Sequence, residues 1–281
     1  EVDETLHKLH QDPQMRIAVV GRAAEKGNLY AAVINDLHRA AGRSGVGTVM
    51  ASKNLKAVCV RGTKGVQAAS LDNPAAFMQA VADGKKVLAE NAVTGEGLPA
   101  LGTQVLMNVI NEVGAMPTRN MREIQFEGAK NISGEAMLEK RADGKANLTT
   151  NAACFSCTIA CGRISTIEQG HFTVENKPKY WGASGGLEYE AAWALGSDTG
   201  IDDLNTLTYA NFLCNEDGID PISFGATVAA AMEMFNDGQI TTEHTGGMEL
   251  KFGSAEALAW AAEVTARGEG FGLELGLGSK R

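Results

Sequence analysis

Three cysteines within eight residues constrain this chain more than any other feature of its sequence. The segment reads Cys154-Phe-Ser-Cys157-Thr-Ile-Ala-Cys161, a C-x2-C-x3-C spacing. Three thiolates on one short loop can hold three corners of a cubane, and a distant fourth cysteine then completes a [4Fe–4S] cluster. A structural zinc site is the alternative, with His171 as its fourth ligand, although zinc usually takes two C-x2-C pairs or nearby histidines. The spacing favours the iron–sulfur cluster.

The two other cysteines are expected to be structural. Cys59 lies in the apolar, strand-like run at residues 56–60, and Cys214 lies in a helical pattern, so both are predicted to be core residues. An odd, clustered set of cysteines is typical of metal binding in a reducing compartment and not of a disulfide framework. The protein is therefore expected to be cytoplasmic.

Charge and hydrophobicity exclude two classes of partner. The formal net charge of −9 argues against nucleic-acid binding, which needs a basic face. No run approaches the ~20 apolar residues of a membrane-spanning helix. The chain begins at Glu1 without a leader pattern, so we interpret it as an internal segment of a longer polypeptide.

The first part of the chain alternates short apolar runs with glycine turns. Residues 16–21 and 55–60 are predicted strands, from their length and β-branched content. Between them, residues 41–48 carry a G-x-x-G-x-G pattern after which no helical pattern is clear. The pattern fits either a tight loop or a glycine loop that contacts a phosphate, with Arg43 as its anchor.

From residue 72 the pattern becomes helical. Asp72-Asn-Pro-Ala is a helix start with a capping side chain and proline in the first turn. Apolar residues four apart predict one helical stripe over 101–113, and the polar stretch 166–186 predicts a surface loop. Further helices are predicted at 188–195, 203–215, 223–236 and 254–267, each followed closely by glycine. The expected fold class is α+β, in which a mainly helical part carries the cysteine loop.

Several blocks of sequence occur in an order that is characteristic of one enzyme family. They are residues 36–57, with the glycine–arginine loop and the run Val49-Met-Ala-Ser-Lys-Asn-Leu-Lys-Ala57; residues 102–103 and 114–120; 154–163; 188–197; and 214–223. Together they resemble the aldehyde ferredoxin oxidoreductase family over residues 16 to about 280.

The resemblance implies a fold, a cofactor set and a reaction. Residues 1–66 would be the end of a β-rich, pterin-binding base domain, and 67–281 a mainly helical middle domain. The family oxidises aldehydes to carboxylic acids at tungsten or molybdenum held by two pyranopterins. Electrons then pass through a [4Fe–4S] cluster to ferredoxin or a similar carrier. A homodimer is compatible with this resemblance.

The resemblance also assigns roles near the cluster and the pterin phosphates. Cys154, Cys157 and Cys161 match the first three cluster ligands, and the fourth ligand belongs to a third domain. Arg43 and Ser44 match the loop at the pterin phosphates and their bridging Mg²⁺, which Ser44 meets through its backbone carbonyl. Arg163 would link a pterin to the cluster by hydrogen bonding.

Residues 215–220 match the family's pterin motif D-x-x-G-L-C/D with two departures. Asn215 replaces the first acid and Ile219 replaces leucine, whereas Asp220 is kept. An acid accepts hydrogen bonds from pterin N–H groups, and an amide oxygen can still accept them without the charge. The alternative for Asp220 is that it caps the following helix.

Two glutamates are the catalytic candidates that the resemblance implies. Glu190, with Glu188 second, would orient or deprotonate the attacking water, and the alternative is a surface salt bridge. Tyr209 stands where some members carry a further acid, so the substrate range is expected to differ. No histidine of this chain is expected to replace the catalytic histidine of the third domain.

Two other function classes stay open at this point. One is an iron–sulfur electron-transfer protein without the metal–pterin, which the departures at Asn215 and Tyr209 favour. The other is a zinc-stabilised interaction domain.

Overall fold

A four-stranded antiparallel sheet forms the first part of the protein. The computed structural model describes residues 1–64 and 72–280. The sheet has the order β3-β2-β1-β4, from β1 Arg16–Val20, β2 Val33–Asn35, β3 Arg39–Ala41 and β4 Ala57–Val60. Both predicted strands are therefore present, as β1 and β4.

This sheet is buried at its centre and largely exposed at its two edge strands, β3 and β4. Ile17, Val20 and Ile34 are buried, whereas Val58, Cys59 and Val60 on β4 are exposed. The prediction that Cys59 is a core residue is wrong, because β4 is an edge strand with little packed against it. Cys214, in contrast, is fully buried as predicted.

Helices provide most of the remaining secondary structure. In chain order they are α1 Val2–His10, α2 Arg22–Glu25, α3 Val46–Ser52, α4 Pro74–Glu90, α5 Leu98–Leu101, α6 Leu106–Glu112, α7 Gly134–Leu138, α8 Tyr189–Leu195, α9 Leu204–Asp217, α10 Pro221–Asn236, α11 Thr242–Thr245, α12 Ala255–Arg267 and α13 Phe271–Leu275. The predicted helix start near residue 72 is confirmed, because the Asn73 side chain caps α4.

The main hydrophobic core lies among α8, α9, α10 and α12. Leu195, Leu207, Tyr209 and Phe224 are among its largest fully buried side chains. Burying one such apolar side chain contributes on the order of 1.5–3 kcal/mol. Nearly all of α9 is buried, so it needs no polar face.

Local signals fix where these helices begin and end. The side chains of Asp203, Asp220 and Ser254 accept hydrogen bonds from first-turn N–H groups of α9, α10 and α12. Gly218 and Gly268 end α9 and α12 in the left-handed conformation, which glycine adopts without strain. The four helices predicted between residues 188 and 267 are confirmed.

The predicted helical stripe at 101–113 is not one helix. It is divided into α5, a 3₁₀ turn (Gly102–Val105) and α6, because Gly102 takes a left-handed φ of 63°. Leu106, Val109 and Val113 are exposed, and Met107 is the buried residue. The polar stretch 166–186 is also not all surface, because it buries residues such as Ile167 and Val174.

A second, three-stranded antiparallel sheet carries the cysteines. Its order is β5-β6-β7, with β5 Leu148–Ala152, β6 Gly162–Ser165 and β7 Ser184–Gly185. The strands β5 and β6 with the loop 153–161 form a unit that we call the cysteine hairpin.

Backbone contacts join the first sheet to the helical core. Ala32 N–H donates to Gly218 O at 2.7 Å, and Asp220 N–H donates to Tyr30 O at 3.2 Å. A Cβ on Gly21 would lie 2.0 Å from the Asp217 carbonyl carbon, so only glycine permits this approach. We call residues 30–32 with 217–220 the Asp220 corner.

The α+β fold class is confirmed by this arrangement of sheets and helices. The predicted domain boundary between residues 66 and 67 lies outside the described residues. In the part of the chain that is described, no helix is both long and apolar enough to cross a membrane.

Candidate active site

Most of the predicted site residues line one cavity of about 370 Å³. It opens between the loop after β3, the strands β6 and β7, and the ends of α8, α9 and α10. The predicted residues that line it are Arg43, Arg163, Glu188, Glu190, Asn215 and Asp220. His38, Arg39 and Asn211 also line it, and sequence reasoning assigned them no role there. Ser44 and the three clustered cysteines are not part of its lining.

A larger cavity, of about 660 Å³, lies between α1, β1 and the end of α9. Of the predicted site residues it contains only Asn215. The smaller cavity is the better candidate because six of the predicted site residues line it, whereas the larger one contains a single one of them.

The glycine loop brings Arg43 to the cavity. Contrary to expectation, a helix follows this loop directly, α3, with Gly45 before it at φ 70°. A Cβ on Gly45 would lie 2.2 Å from Leu29 O, which explains why glycine is needed there. Ser44 takes a left-handed φ of 89° and is exposed. The Arg43 side chain is 66% exposed, and its Nε lies 3.8 Å from Asp220 Oδ2, so it can still reach an anion.

Asp220 is buried at the Asp220 corner, where it both caps a helix and faces the cavity. Its Oδ2 accepts hydrogen bonds from the Ser223 N–H and hydroxyl, so the helix-capping alternative is correct for this oxygen. Its Oδ1 lies 3.5 Å from the position that a Cβ on Gly42 would take. One carboxylate oxygen is therefore used by the fold, and the other faces the glycine loop.

Asn215 uses its amide to hold β7. Asn215 Nδ2 donates to Gly185 O at 3.3 Å, and Asn211 Nδ2, one turn earlier on α9, donates to the same oxygen at 2.9 Å. A carboxylate at 215 could not make this bond, because it has no N–H to donate. The i, i+4 spacing of two asparagines on a buried helix was the sequence signal for Asn211.

The two candidate catalytic glutamates differ in how firmly they are held. Glu188 Oε2 accepts from the Thr103 hydroxyl at 2.7 Å, and its Oε1 lies 3.5 Å from Arg39 Nη1. Glu190 Oε2 accepts from Trp193 Nε1 at 2.8 Å, and the residue is exposed. The salt-bridge alternative is thus correct for Glu188. Both carboxylates line the cavity and can accept a hydrogen bond from water.

The cysteine hairpin presents its thiols on a tight, exposed loop. Cys154 and Cys157 are exposed and Cys161 is half-buried. Cys157 N–H donates to Cys154 O at 3.0 Å, and Ser156 and Ala160 take left-handed φ angles of 57° and 54°. N–H groups of Ile159 and Ala160 hydrogen-bond the Cys157 sulfur and lower its pKa, which favours the metal-binding thiolate.

The side chains that commonly bind metals do not form a site for a single metal ion in the described part of the chain. Within residues 1–64 and 72–280, no group of three His, Cys, Asp or Glu side chains is arranged to hold one metal ion. His171 is not available as the zinc ligand of the alternative prediction. Its Nε2 lies 2.8 Å from Asp203 Oδ2, and its Nδ1 lies 2.8 Å from the Thr173 hydroxyl.

Arg163 is buried and bound to the protein itself. Its Nη1 donates to Asn151 Oδ1 and its Nη2 to Leu98 O, both at 2.7 Å. A Cβ on Gly102 would lie 2.5 Å from the Arg163 Nε, so the guanidinium fills the space beside that glycine. Burial lowers the pKa of Arg163. These contacts of Nη1 and Nη2 tie the hairpin to residues 98–102. Among the described residues, the Arg163 Nε has no hydrogen-bond partner, and the expected link between pterin and cluster stays a prediction.

Comparison with known proteins identifies the family. A family model described as "Aldehyde ferredoxin oxidoreductase, domains 2 & 3" matches residues 79–281, and one described as its "N-terminal domain" matches residues 1–62. The chain belongs to the aldehyde ferredoxin oxidoreductase family.

Relatives in this family include tungsten-containing aldehyde ferredoxin oxidoreductases of Pyrococcus abyssi and Pyrococcus furiosus. Each is 41% identical over all of this chain, which spans 44% and 43% of their lengths. A more distant relative is the WOR-like subunit of an aliphatic sulfonate oxidoreductase of Pyrococcus furiosus, with 27% identity over 99% of this chain and 41% of its own length.

A solved structure shares the fold of this family member. The active-site complex BamBC of benzoyl coenzyme A reductase matches 99% of this chain and 40% of its own chain with a TM-score of 0.73. At 20% identity the likeness concerns the fold alone.

Tyr209, at the position where some family members carry an acid, does not line the cavity. Its hydroxyl donates to Glu263 Oε1 at 2.7 Å and accepts from Lys177 Nζ at 2.9 Å. The ring is fully buried in the helical core. Because Tyr209 does not contact the cavity, no contact there supports the predicted difference in substrate range.

Proposed function

We propose that the complete protein oxidises aldehydes to carboxylic acids at a tungsten- or molybdenum-bis-pyranopterin centre. Electrons leave through a [4Fe–4S] cluster to ferredoxin or a similar carrier, and the cytoplasm is the expected compartment. The family membership and the names of the relatives support an oxidoreductase with a tungsten–pterin cofactor. Because this chain spans less than half the length of those relatives, the whole protein's activity is part of the proposal.

One observation carries the proposal. Residues from four distant segments, represented by Arg43, Arg163, Glu190 and Asp220, line a single cavity. The cysteine hairpin adjoins the same cavity through Arg163, two residues after Cys161. A pterin site and a cluster site would thus be neighbours, which transfer of electrons between them requires.

The residues of the cavity suit the chemistry of a pyranopterin. Asp220 Oδ1 is a buried carboxylate oxygen that can accept hydrogen bonds from pterin N–H groups. Arg43 supplies a guanidinium for the phosphates, and Ser44 would meet a bridging Mg²⁺ through its carbonyl. Asn215 in our proposal acts indirectly, because its amide holds Gly185 in place.

The remaining roles belong to the glutamates and cysteines. When bound, the metal–pterin supplies the two-electron redox chemistry, and the protein supplies binding and orientation. Glu190 orients or deprotonates the water that attacks the aldehyde carbon, and Glu188 holds the Thr103 hydroxyl and Arg39. Cys154, Cys157 and Cys161 bind three corners of the cluster.

Aldehyde is the proposed substrate class because the relatives at 41% identity are named for it, whereas the sulfonate relative is only 27% identical. The test uses full-length protein purified anaerobically. Iron, zinc, molybdenum and tungsten are counted per chain, and reduction of ferredoxin is followed with aldehydes and with an aliphatic sulfonate. About four irons with one tungsten or molybdenum, and ferredoxin reduction with aldehyde, support the proposal. Zinc alone, or activity with the sulfonate only, contradicts it.

A second candidate is an electron-transfer protein that binds the cluster but no metal–pterin. It is favoured by the Asn215 amide, which is committed to Gly185 O in place of an acid that would accept from the pterin. Four irons without tungsten or molybdenum, and no aldehyde-dependent reduction, would select this candidate.

A further inference from the structure

We infer that Arg39 is the cation between the cavity and the cysteine hairpin, and that it favours uptake of an electron by the cluster. The inference rests on the proposed function, because it concerns the cluster that the three cysteines would hold. It assigns Arg39 a positioning and electrostatic role and no contact with substrate.

The geometry places the Arg39 guanidinium against the hairpin. Arg39 begins β3 and lines the cavity with a side chain that is 37% exposed. Its Nη2 lies 2.1 Å, and its Cζ 3.1 Å, from the position that a Cβ on Gly162 would occupy. Gly162 is buried and directly follows the cluster ligand Cys161. The guanidinium therefore fills the space that any side chain at 162 would need.

The hydrogen-bonding capacity of Arg39 is largely free. Among the described residues, its one ion pair is with Glu188, at 3.5 Å, and its guanidinium makes no other hydrogen bond. Arg163, on the same hairpin, has both terminal nitrogens bound to Asn151 and Leu98. A guanidinium carries five N–H donors. Arg39 can therefore face an anionic group with most of its donors, whereas both terminal nitrogens of Arg163 already bond to the protein.

The charge of Arg39 has a predictable effect on a neighbouring redox group. A positive charge beside a cluster stabilises the form that carries the additional electron, and more strongly where water is partly excluded. Loss of that charge makes reduction harder. We expect Arg39→Gln to weaken reduction of the cluster about tenfold, which is about 59 mV towards negative potential for a one-electron couple. Arg39→Lys, which keeps the charge, stays near wild type.

The experiment is a redox titration of the full-length holoenzyme with dithionite and mediators, followed by the EPR signal of the reduced cluster. Arg39→Gln and Arg39→Lys are compared with wild type after iron is counted in each. Arg16→Gln is the matched control, because it removes an arginine paired with Asp36 on the same sheet that does not line the cavity. The control keeps the wild-type potential.

Each outcome decides the inference. A negative shift in Arg39→Gln with little shift in Arg39→Lys supports it, and a wild-type potential in Arg39→Gln overturns it. If Arg39→Gln loses iron, Arg39→Lys decides the inference. A cluster that Arg39→Lys retains at the wild-type potential supports a role of the charge. Loss of the cluster in Arg39→Lys, or a shift of its potential by about 59 mV, overturns it. Wild-type protein without a [4Fe–4S] signal contradicts the proposed function instead, which keeps the two failures distinguishable.

Discussion

The Asp220 corner and the cysteine hairpin hold their functional groups in opposite ways. Asp220 is buried, its backbone is bound to Tyr30, and one of its carboxylate oxygens caps α10. Cys154 and Cys157 are exposed on a loop that contains two left-handed residues. The contrast indicates that folding alone fixes the acid at the cavity, whereas bound metal would fix the cysteine loop. Substitutions in the cysteine hairpin should therefore change cofactor content, whereas substitutions at the Asp220 corner should also change the stability of the fold.

The largest effect is expected from Cys157→Ser on the hairpin. It removes a proposed thiolate ligand, so iron per chain should fall to background and visible cluster absorbance should disappear, together with aldehyde-dependent electron transfer. Cys59→Ser is the matched control, since Cys59 is an exposed cysteine on β4. Retention of wild-type iron in Cys157→Ser would show that the ligand assignment is wrong.

At the Asp220 corner, substitution should change both stability and cofactor content. Asp220→Ala removes the cap of α10, which typically costs about 1 kcal/mol of unfolding free energy. It would also leave a bound pterin without its proposed acceptor. We expect less tungsten or molybdenum per chain and a lower unfolding temperature. Asp203→Ala is the control, because Asp203 caps α9 outside the cavity. It should lose stability and keep the metal, and equal metal loss in both variants would contradict a specific role for Asp220.

Asp198 should give the helical core a pH-dependent stability. Its Oδ1 accepts the Met121 N–H at 3.1 Å, and burial raises its pKa to about 6 from 3.8. The folded state then binds this proton more tightly than the unfolded state, so stability falls as pH rises from about 4 to about 6. We expect Asp198 to contribute up to about 2 kcal/mol to the difference between these pH values. Asp198→Asn should remove this contribution and keep that of Asp217, whose pKa burial also raises to about 6. Urea unfolding of both proteins at pH 4.5, 5.5 and 6.5 measures it, and parallel pH profiles would refute it.

Tyr209→Phe should have the smallest effect, and on stability alone. It removes the hydroxyl that bonds Glu263 and Lys177, at a cost of about 1 kcal/mol. Because Tyr209 does not line the cavity, kcat/KM for a series of aldehydes should keep its wild-type ranking. A changed ranking at unchanged stability would restore Tyr209 as a determinant of substrate range.

Local signals in the sequence predict much of this protein. The spacing of Cys154, Cys157 and Cys161 places three thiols on one loop, and the caps at Asp203 and Asp220 act within three residues of themselves. Such signals are short-range, so they can be read without knowledge of the fold. The strands at residues 16 and 57 and the helices of the core are predictable for the same reason.

The errors come from contacts between distant residues. The stripe at 101–113 is divided at Gly102 because the Arg163 guanidinium lies beside it, 61 positions later in the sequence. Cys59 is exposed because its strand lies at the sheet edge, which the strand's own sequence does not reveal. Arg39 cannot be identified from the sequence because its neighbour Gly162 belongs to another sheet.

The backbone bonds of the Asp220 corner have a consequence for how the chain can be divided. Ala32 and Asp220 donate across the junction to Gly218 and Tyr30, so each side supplies partners that the other side would lose on separation. Two polypeptides covering residues 1–62 and 79–281 should therefore associate when expressed together, as complementing fragments. Amide hydrogens of Ala32 and Asp220 would exchange with deuterium slowly in the complex and quickly in either fragment alone.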